Sequence, residues 1–127
     1  MIEKYFDRLE KDILFFKNIL SYSLCKKIYS SKQGFMSGII VFMDESILDF
    51  AEVKDVESEG KIKYRYHYID RDKSLVFRYD NANHFNNIRT FPHHKHLADD
   101  VIESSEPRLF DILLEIAKVE SMKMYLQ

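Results

Sequence analysis

Three histidines within four residues are the most unusual feature of this sequence. They are His93, His94 and His96, and Lys95 lies between them. A histidine titrates near neutral pH and can move a proton, and a nearby Arg or Lys can stabilise the negative charge that develops on a reacting phosphate. Because phosphodiester cleavage needs these groups, the segment predicts acid–base catalysis by the three histidines, with Lys95 as an anion-binding group.

The same histidines admit a second interpretation, since imidazole nitrogen also binds zinc, nickel and copper. Structural zinc sites usually combine well-separated ligand pairs, whereas this sequence has no CxxC or HExxH pattern and a single cysteine, Cys25. We therefore expect no metal ligands and no cofactor. One alternative is a metal-dependent hydrolase built on the three histidines with Asp80 or Asp99. The simplest alternative is a polar loop without a chemical role, anchored in the core by Phe91.

A run of alternating side chains from 61 to 70 supplies the next candidate groups. In a strand, successive side chains point to opposite faces. One face is largely aromatic and consists of Ile62, Tyr64, Tyr66 and Tyr68. The other is largely polar and consists of Lys63, Arg65, His67 and Ile69. We expect His67 to act in proton transfer and Arg65 to bind the substrate, although a solvent-exposed face of ion pairs would show the same alternation.

The strand candidate at 74–81 adds a second arginine. A two-residue hairpin turn at 71–72 would pair Arg65 with Arg78 on the polar face. Like charges that face each other across a ladder are unfavourable, so this pairing predicts an anionic ligand or an acidic partner such as Asp80. The sequence thus indicates a phosphate held by Arg65 and Arg78.

The end of that strand holds polar residues that can either turn the chain or bind a ligand. Asp80 can orient a histidine and fix its tautomer, as carboxylates do beside many imidazoles. We therefore place Asp80 with the catalytic residues. The residues expected to contact the substrate here are Tyr79, Asn81 and His84.

The apolar spacing predicts a helix at each end of the chain. The first helix runs from residue 2 to about 20, and its apolar face consists of Ile2, Phe6, Leu9, Ile13, Phe16 and Leu20. The second begins after Ser105, a candidate N-cap, with Pro107 in its first turn. Its apolar stripe consists of Leu109, Ile112, Leu113, Ile116 and Val119.

Between the helices, five short runs rich in Ile, Val, Tyr and Phe predict strands. Their limits are 22–31, 35–43, 46–54, 61–70 and 74–81. Short connections favour antiparallel neighbours, so we predict an α+β fold in which about five strands form an antiparallel meander and both helices pack on one face. The segment 82–104 has no clear period, and we expect an irregular loop that carries function.

The composition bounds the class of protein. A chain of 127 residues with 46% hydrophobic and 31% charged residues predicts one folded domain, 1–127. A single cysteine cannot form an internal disulfide, and the first residues lack the apolar run of a signal peptide, so we expect a cytoplasmic protein. No apolar stretch approaches the roughly 20 residues that cross a bilayer, so we expect no membrane span. Residues 61–97 carry eight Lys or Arg against three Asp or Glu, and all five histidines, which favours an anionic ligand there.

Three segments, in this order and spacing, resemble the TumE family. They are Tyr-Arg-Tyr-His-Tyr at 64–68, Phe-Arg-Tyr-Asp-Asn-Ala at 77–82 and Phe-Pro-His-His-Lys-His at 91–96. The resemblance implies the toxin half of a prokaryotic type II toxin–antitoxin pair, encoded beside a small helix-turn-helix antitoxin, TumA, as its partner. The chain departs from the family where Asn83 replaces the usual Pro and His84-Phe85 replaces two histidines.

The polar residues and the resemblance together predict a toxin that inhibits growth by acting on RNA. It would be a metal-independent endoribonuclease in which one histidine is the general base, another is the general acid, and Arg65 and Arg78 hold the phosphate. The alternative is a non-catalytic toxin that binds its antitoxin through the acidic hairpin at 44–60, or inhibits a host protein. A homodimer is compatible with either reading.

Overall fold

The structure is a computed structural model that describes residues 1–126. Two helices flank one sheet in chain order. Their bounds are α1 Ile2–Phe15, β1 Ile19–Ile28, β2 Gln33–Phe42, β3 Ile47–Asp55, β4 Lys61–Ile69, β5 Leu75–Asp80, β6 His94–Leu97, β7 Asp100–Glu103 and α2 Leu109–Leu126. Within the described residues, no helix is both long and apolar enough to cross a membrane.

The first helix forms where its apolar residues recur on one side. The side chains buried from α1 are Ile2, Phe6, Leu9 and Ile13. The helix ends at Phe15 because Phe16 is extended, with φ −92° and ψ 120°. The prediction of a helix to about residue 20 was therefore wrong at its end, since Leu20 lies in β1 and is 60% exposed.

The sheet is an antiparallel meander in which each strand pairs with its neighbours in sequence, in the order β1 to β7. The five predicted strands are confirmed with small shifts at their ends. The count of about five was too low, because β6 and β7 form a hairpin inside the segment that was expected to be irregular. Each of these strands has only four residues, which is too short to show a period of two in the sequence.

The pairing of β4 with β5 differs from the prediction. Arg65 lies opposite Asp80, and His67 lies opposite Arg78, so the predicted pairing of the two arginines was wrong. The turn is longer than two residues: the Asp70 amide donates to the Ser74 carbonyl at 2.9 Å. Because the register between 65 and 68 differs from the prediction by two residues, the Arg65, His67 and Arg78 side chains still point to their predicted face.

Both helices pack on the aromatic face of the sheet. The large side chains that are fully buried in the strands include Phe42, Phe50, Tyr66, Tyr68 and Phe77. They form one core with the buried residues of α1 and with those of α2, which are Leu109, Ile112, Leu113 and Ile116. The second helix begins at Leu109 rather than beside Ser105, and the Arg108 amide donates to the Asp111 side chain at 3.0 Å. The opposite, largely polar face of β4 and β5 points away from the helices.

Candidate functional site

The antiparallel register places the candidate residues in two adjacent rows across the sheet face that points away from the helices. The first row crosses β3 to β6 and contains Asp49, His67, Arg78 and His96. The second row crosses β4 to β6 and contains Arg65, Asp80 and His94. Directly opposite residues have Cβ atoms about 4.5–5.5 Å apart. These two polar rows therefore bring together six of the residues that the sequence singled out.

Asp80 is the acidic centre of the rows and is 5% exposed. The Arg78 Nε donates to one carboxylate oxygen at 2.9 Å, and the Ala82 amide donates to the other at 3.0 Å. Burial tends to raise the pKa of this carboxyl, but the two hydrogen bonds, together with the positive charges nearby, hold it below its usual range. The side chain is therefore an ionised acceptor at neutral pH.

His94 lies beside Asp80 and is 1% exposed. Its Nδ1 is 2.9 Å from the Pro92 carbonyl oxygen. Its Nε2 is 2.9 Å from Asp80 Oδ1 and 3.0 Å from Nε2 of His96. The predicted role of Asp80 beside a histidine thus has a geometry that supports it, and this histidine is buried.

His96 completes the cluster from the more exposed side. Its Nε2 is 3.4 Å from Asp80 Oδ2. Burial lowers the pKa of His96, and Asp80 opposes that effect. The Phe85 ring stands edge-on to both imidazoles, with ring centroids 4.9 Å from His94 and 5.5 Å from His96. One ligand atom from each of Asp80, His94 and His96 lies within 4.8 Å of the others, so these three residues could hold a metal ion.

His67 is the histidine of the rows that stands apart from this cluster. Burial lowers its pKa, and the facing charge of Arg78 lowers it further. Its ring is therefore mainly neutral at pH 7 and can accept a proton. The His67 Nδ1 is buried and has no hydrogen-bond partner among the described residues.

The two arginines lie on either side of His67 and Asp80 and keep donors free for an anion. Arg65 contacts Asp49 through one Nη at 3.2 Å, and Arg78 contacts Asp80 through Nε. A guanidinium has five N–H donors, so each arginine retains several. Their side chains are 42% and 37% exposed, which leaves them accessible to a ligand.

Two depressions flank the polar rows. A groove of about 350 Å³ lies beside Arg65 and Asp80 and extends to Phe35 and Val53. A shallower cleft of about 630 Å³ lies beside Arg78 and His96, on the side of β7. An extended ligand could therefore cross the rows from one depression to the other.

The structure places four other predicted residues outside the rows. Tyr79 and Lys95 face the helices, where both contact Glu115, at 2.5 and 2.8 Å. The Asn81 side chain holds the backbone of β4, since its Oδ1 accepts from the Tyr64 N–H at 3.1 Å and its Nδ2 donates to the Ile62 carbonyl at 3.2 Å. His84 is exposed in the loop before β6.

His93 also lies apart from the rows. Its Nδ1 is 2.9 Å from the Tyr64 hydroxyl, and its ring stacks on that tyrosine with centroids 5.8 Å apart. Only two of the three clustered histidines, His94 and His96, therefore reach the polar rows, because alternate residues of β6 share a face.

Sequence reasoning missed two residues of the site. Asp49 could have been found from the register, because it lies opposite His67 on β3. Phe85 carries no comparable signal, since the loop that brings its ring over the histidines has no regular period.

A family model described as Toxin TumE matches residues 6–121 of the 127. The matched segment runs from α1 into α2 and contains both polar rows. No curated protein matches the chain, and no solved structure matches it. The assignment to a family therefore rests on nearly the whole length of the chain.

Proposed function

The chain belongs to the TumE toxin family, which implies an antitoxin partner, and we propose that it inhibits growth by cleaving RNA at the two polar rows. The observation that carries the proposal is the placement of His67 between two accessible arginines on one exposed sheet face. A neutral imidazole can act as the general base in phosphodiester cleavage, and two guanidinium groups can stabilise the charge on the phosphate. The family's antitoxin and an RNA substrate are the partners in this proposal, and a homodimer stays a prediction.

The reaction is an attack by the ribose 2′ oxygen on the adjacent phosphorus. His67 takes the 2′ proton, and Arg65 and Arg78 stabilise the charge on the phosphate oxygens as the new bond forms. The bond to the 5′ oxygen breaks, and that oxygen takes a proton from solvent. The products are a 2′,3′-cyclic phosphate and a free 5′ hydroxyl, with no oxidant, reductant or metal in the step.

Asp80, His94 and His96 act in this proposal as positioning residues. Asp80 accepts from Arg78 Nε at 2.9 Å and so fixes the direction of that guanidinium. His94 in turn lies 2.9 Å from the same carboxylate. Loss of this support would misplace Arg78 and weaken the stabilisation of the transition state.

The test is incubation of the purified protein with total RNA, followed by analysis of the fragment ends. We expect cleavage with 2′,3′-cyclic phosphate ends, lost in His67→Ala and kept in the matched control His84→Ala, which changes an exposed histidine outside the rows. Cleavage that leaves 5′ phosphates would contradict the 2′ oxygen attack. No cleavage by a folded, toxic protein would favour a toxin that acts by binding.

A further inference from the structure

Three potential ligand atoms converge at one point of the sheet face. They are Nε2 of His94, Nε2 of His96 and the carboxylate of Asp80, and their separations are 2.9, 3.0 and 3.4 Å. The side chains of His94 and Asp80 are 2% and 7% exposed, and that of His96 is 25% exposed. The point is therefore closed on the protein side and open toward solvent at His96. Burying polar atoms costs free energy unless each atom has a hydrogen-bond partner or binds a metal ion.

If the His94 ring is neutral, hydrogen bonding leaves the 2.9 Å contact between its Nε2 and Asp80 Oδ1 without a proton. The Pro92 carbonyl can only accept, so the hydrogen of a neutral His94 ring is on Nδ1, which is 2.9 Å from that oxygen. The Nε2 of His94 then carries a lone pair that faces a carboxylate oxygen and a second imidazole nitrogen. A single proton at Nε2 could be shared with one of these neighbours at good geometry, but not with both.

The surroundings of the three residues match those of a metal site. Imidazoles that bind a metal usually donate their other ring N–H to a carbonyl or carboxylate, as His94 does to Pro92. Carboxylate ligands are in turn held by hydrogen bonds, and Asp80 accepts from Arg78 and from the Ala82 amide. These outer contacts are an observation separate from the convergence of the three ligand atoms.

We propose that Asp80, His94 and His96 bind one divalent first-row transition metal ion, with zinc as the probe of choice. Two imidazole nitrogens and one carboxylate oxygen favour such an ion over magnesium or calcium, which prefer oxygen ligands throughout. The exposed side at His96 leaves a position for water. The ion would tie β6 to β5 and fix Asp80, which orients Arg78.

Metal binding is measured on the full chain without RNA, so its result is independent of RNA cleavage. Protein treated with a chelator is titrated with Co²⁺ and followed by its visible absorption, and Zn²⁺ binding is measured by calorimetry. We expect one equivalent of either metal, and a higher unfolding temperature with Zn²⁺ because a ligand that binds the folded state stabilises it.

Variants locate the site. His96→Ala and Asp80→Asn change side chains at the convergence point, and each should weaken Zn²⁺ binding by more than the roughly 10- to 100-fold typical of lost outer partners. His84→Ala and His93→Ala remove histidines of the same segment that lie outside the point, and they should bind as the unchanged protein does.

Three results would overturn the proposal. The first is a folded protein that gives no Co²⁺ spectrum and binds no stoichiometric Zn²⁺. The second is unchanged Zn²⁺ binding in folded His96→Ala, and the third is an equal loss of Zn²⁺ binding in the His84→Ala and His93→Ala controls. Should His96→Ala fail to fold, Asp80→Asn keeps the shape of the side chain and decides the question. If the protein cleaves RNA to cyclic phosphate ends but binds no metal, the metal site is rejected and the proposed RNA cleavage is retained.

Discussion

Arg65 lies directly opposite Asp80 across the β4–β5 pair, at the position where a two-residue turn would have put Arg78. The sheet therefore supplies acidic neighbours for both guanidinium groups, since Arg65 also contacts Asp49 and Arg78 contacts Asp80. Two arginines can then share one exposed face without direct repulsion. Their free donors remain available to an anionic ligand.

Removal of Arg78 should abolish toxicity while the fold is kept. Arg78→Ala takes away a transition-state contact, and losses of this kind lower kcat by about 10²- to 10³-fold. Growth arrest on expression and RNA cleavage are the two measurements. The matched control is Arg71→Ala, because Arg71 is an exposed arginine in the β4–β5 turn whose ion pair is with Glu45, outside the polar rows. Equal toxicity in both folded variants would exclude Arg78 from the mechanism.

The pH dependence of cleavage should report His67. Its pKa lies below its ordinary value of 6.5, chiefly through burial and then through Arg78, while Asp49 on β3 opposes the effect. As a general base it must be unprotonated, so kcat/KM should rise with pH through a midpoint below 6.5 and stay level above it. In Arg78→Gln the His67 pKa, followed by NMR, should move upward. An unchanged pKa would show that the charge of Arg78 does not act on this ring.

The same lowered pKa makes folding stability depend on pH. Below about pH 6.5, His67 is protonated more readily in the unfolded chain than in the folded chain. The free energy of unfolding therefore falls as the pH drops from about 6.5 toward the lower pKa of the folded state. Urea unfolding at pH 5.5 and 7.5 measures the difference, which should shrink in His67→Gln. An unchanged difference would assign the pH effect to other groups.

Two buried tyrosines offer a matched comparison of hydrogen bonds in the core. The Tyr66 hydroxyl donates to the buried carboxylate of Glu52 at 2.5 Å, and the Tyr68 hydroxyl donates to Ser46 at 2.7 Å. Bonds to charged groups contribute about 1.5–3 kcal/mol, against about 0.5–1.5 kcal/mol for neutral ones. Tyr66→Phe should therefore lower the free energy of unfolding more than Tyr68→Phe does, as measured in urea. The reverse order would mean that the contact with Glu52 stabilises the fold less than the contact with Ser46 does.

Gly38 should not tolerate a side chain. A Cβ at this position of β2 would lie 2.5 Å from a ring carbon of Phe50 and 2.7 Å from Leu24. Overpacking of this kind typically costs about 1–3 kcal/mol, so Gly38→Ala should lower the unfolding midpoint. At Gly60 the nearest atom is the end of the Glu106 side chain at 3.1 Å, and Gly60→Ala is the milder control. Equal effects would mean that Phe50 can move aside.

The sequence alone was sufficient to find the sheet face but not the full site. Alternation in 61–70 placed Arg65 and His67 on the correct face even though the turn length was wrong, because a register error of two residues keeps the parity of the strand. The β6–β7 hairpin could not be found, since four-residue strands leave no period. Without the hairpin, the sequence does not show that His94 and His96 lie on a different face from His93. The contact of His94 and His96 with Asp80 depends on the pairing of β5 with β6.

The meander order of the sheet has a consequence for how the two polar rows can come apart. His94 and His96 lie on β6. This strand pairs with β5 on one side and with the short edge strand β7 on the other. Short edge elements open more easily than central ones. Detachment of this hairpin would dismantle the site while the helices and β1–β5 stay folded. Amide hydrogen exchange would reveal such a largely native state, with faster exchange in β6 and β7 than in β2 to β4.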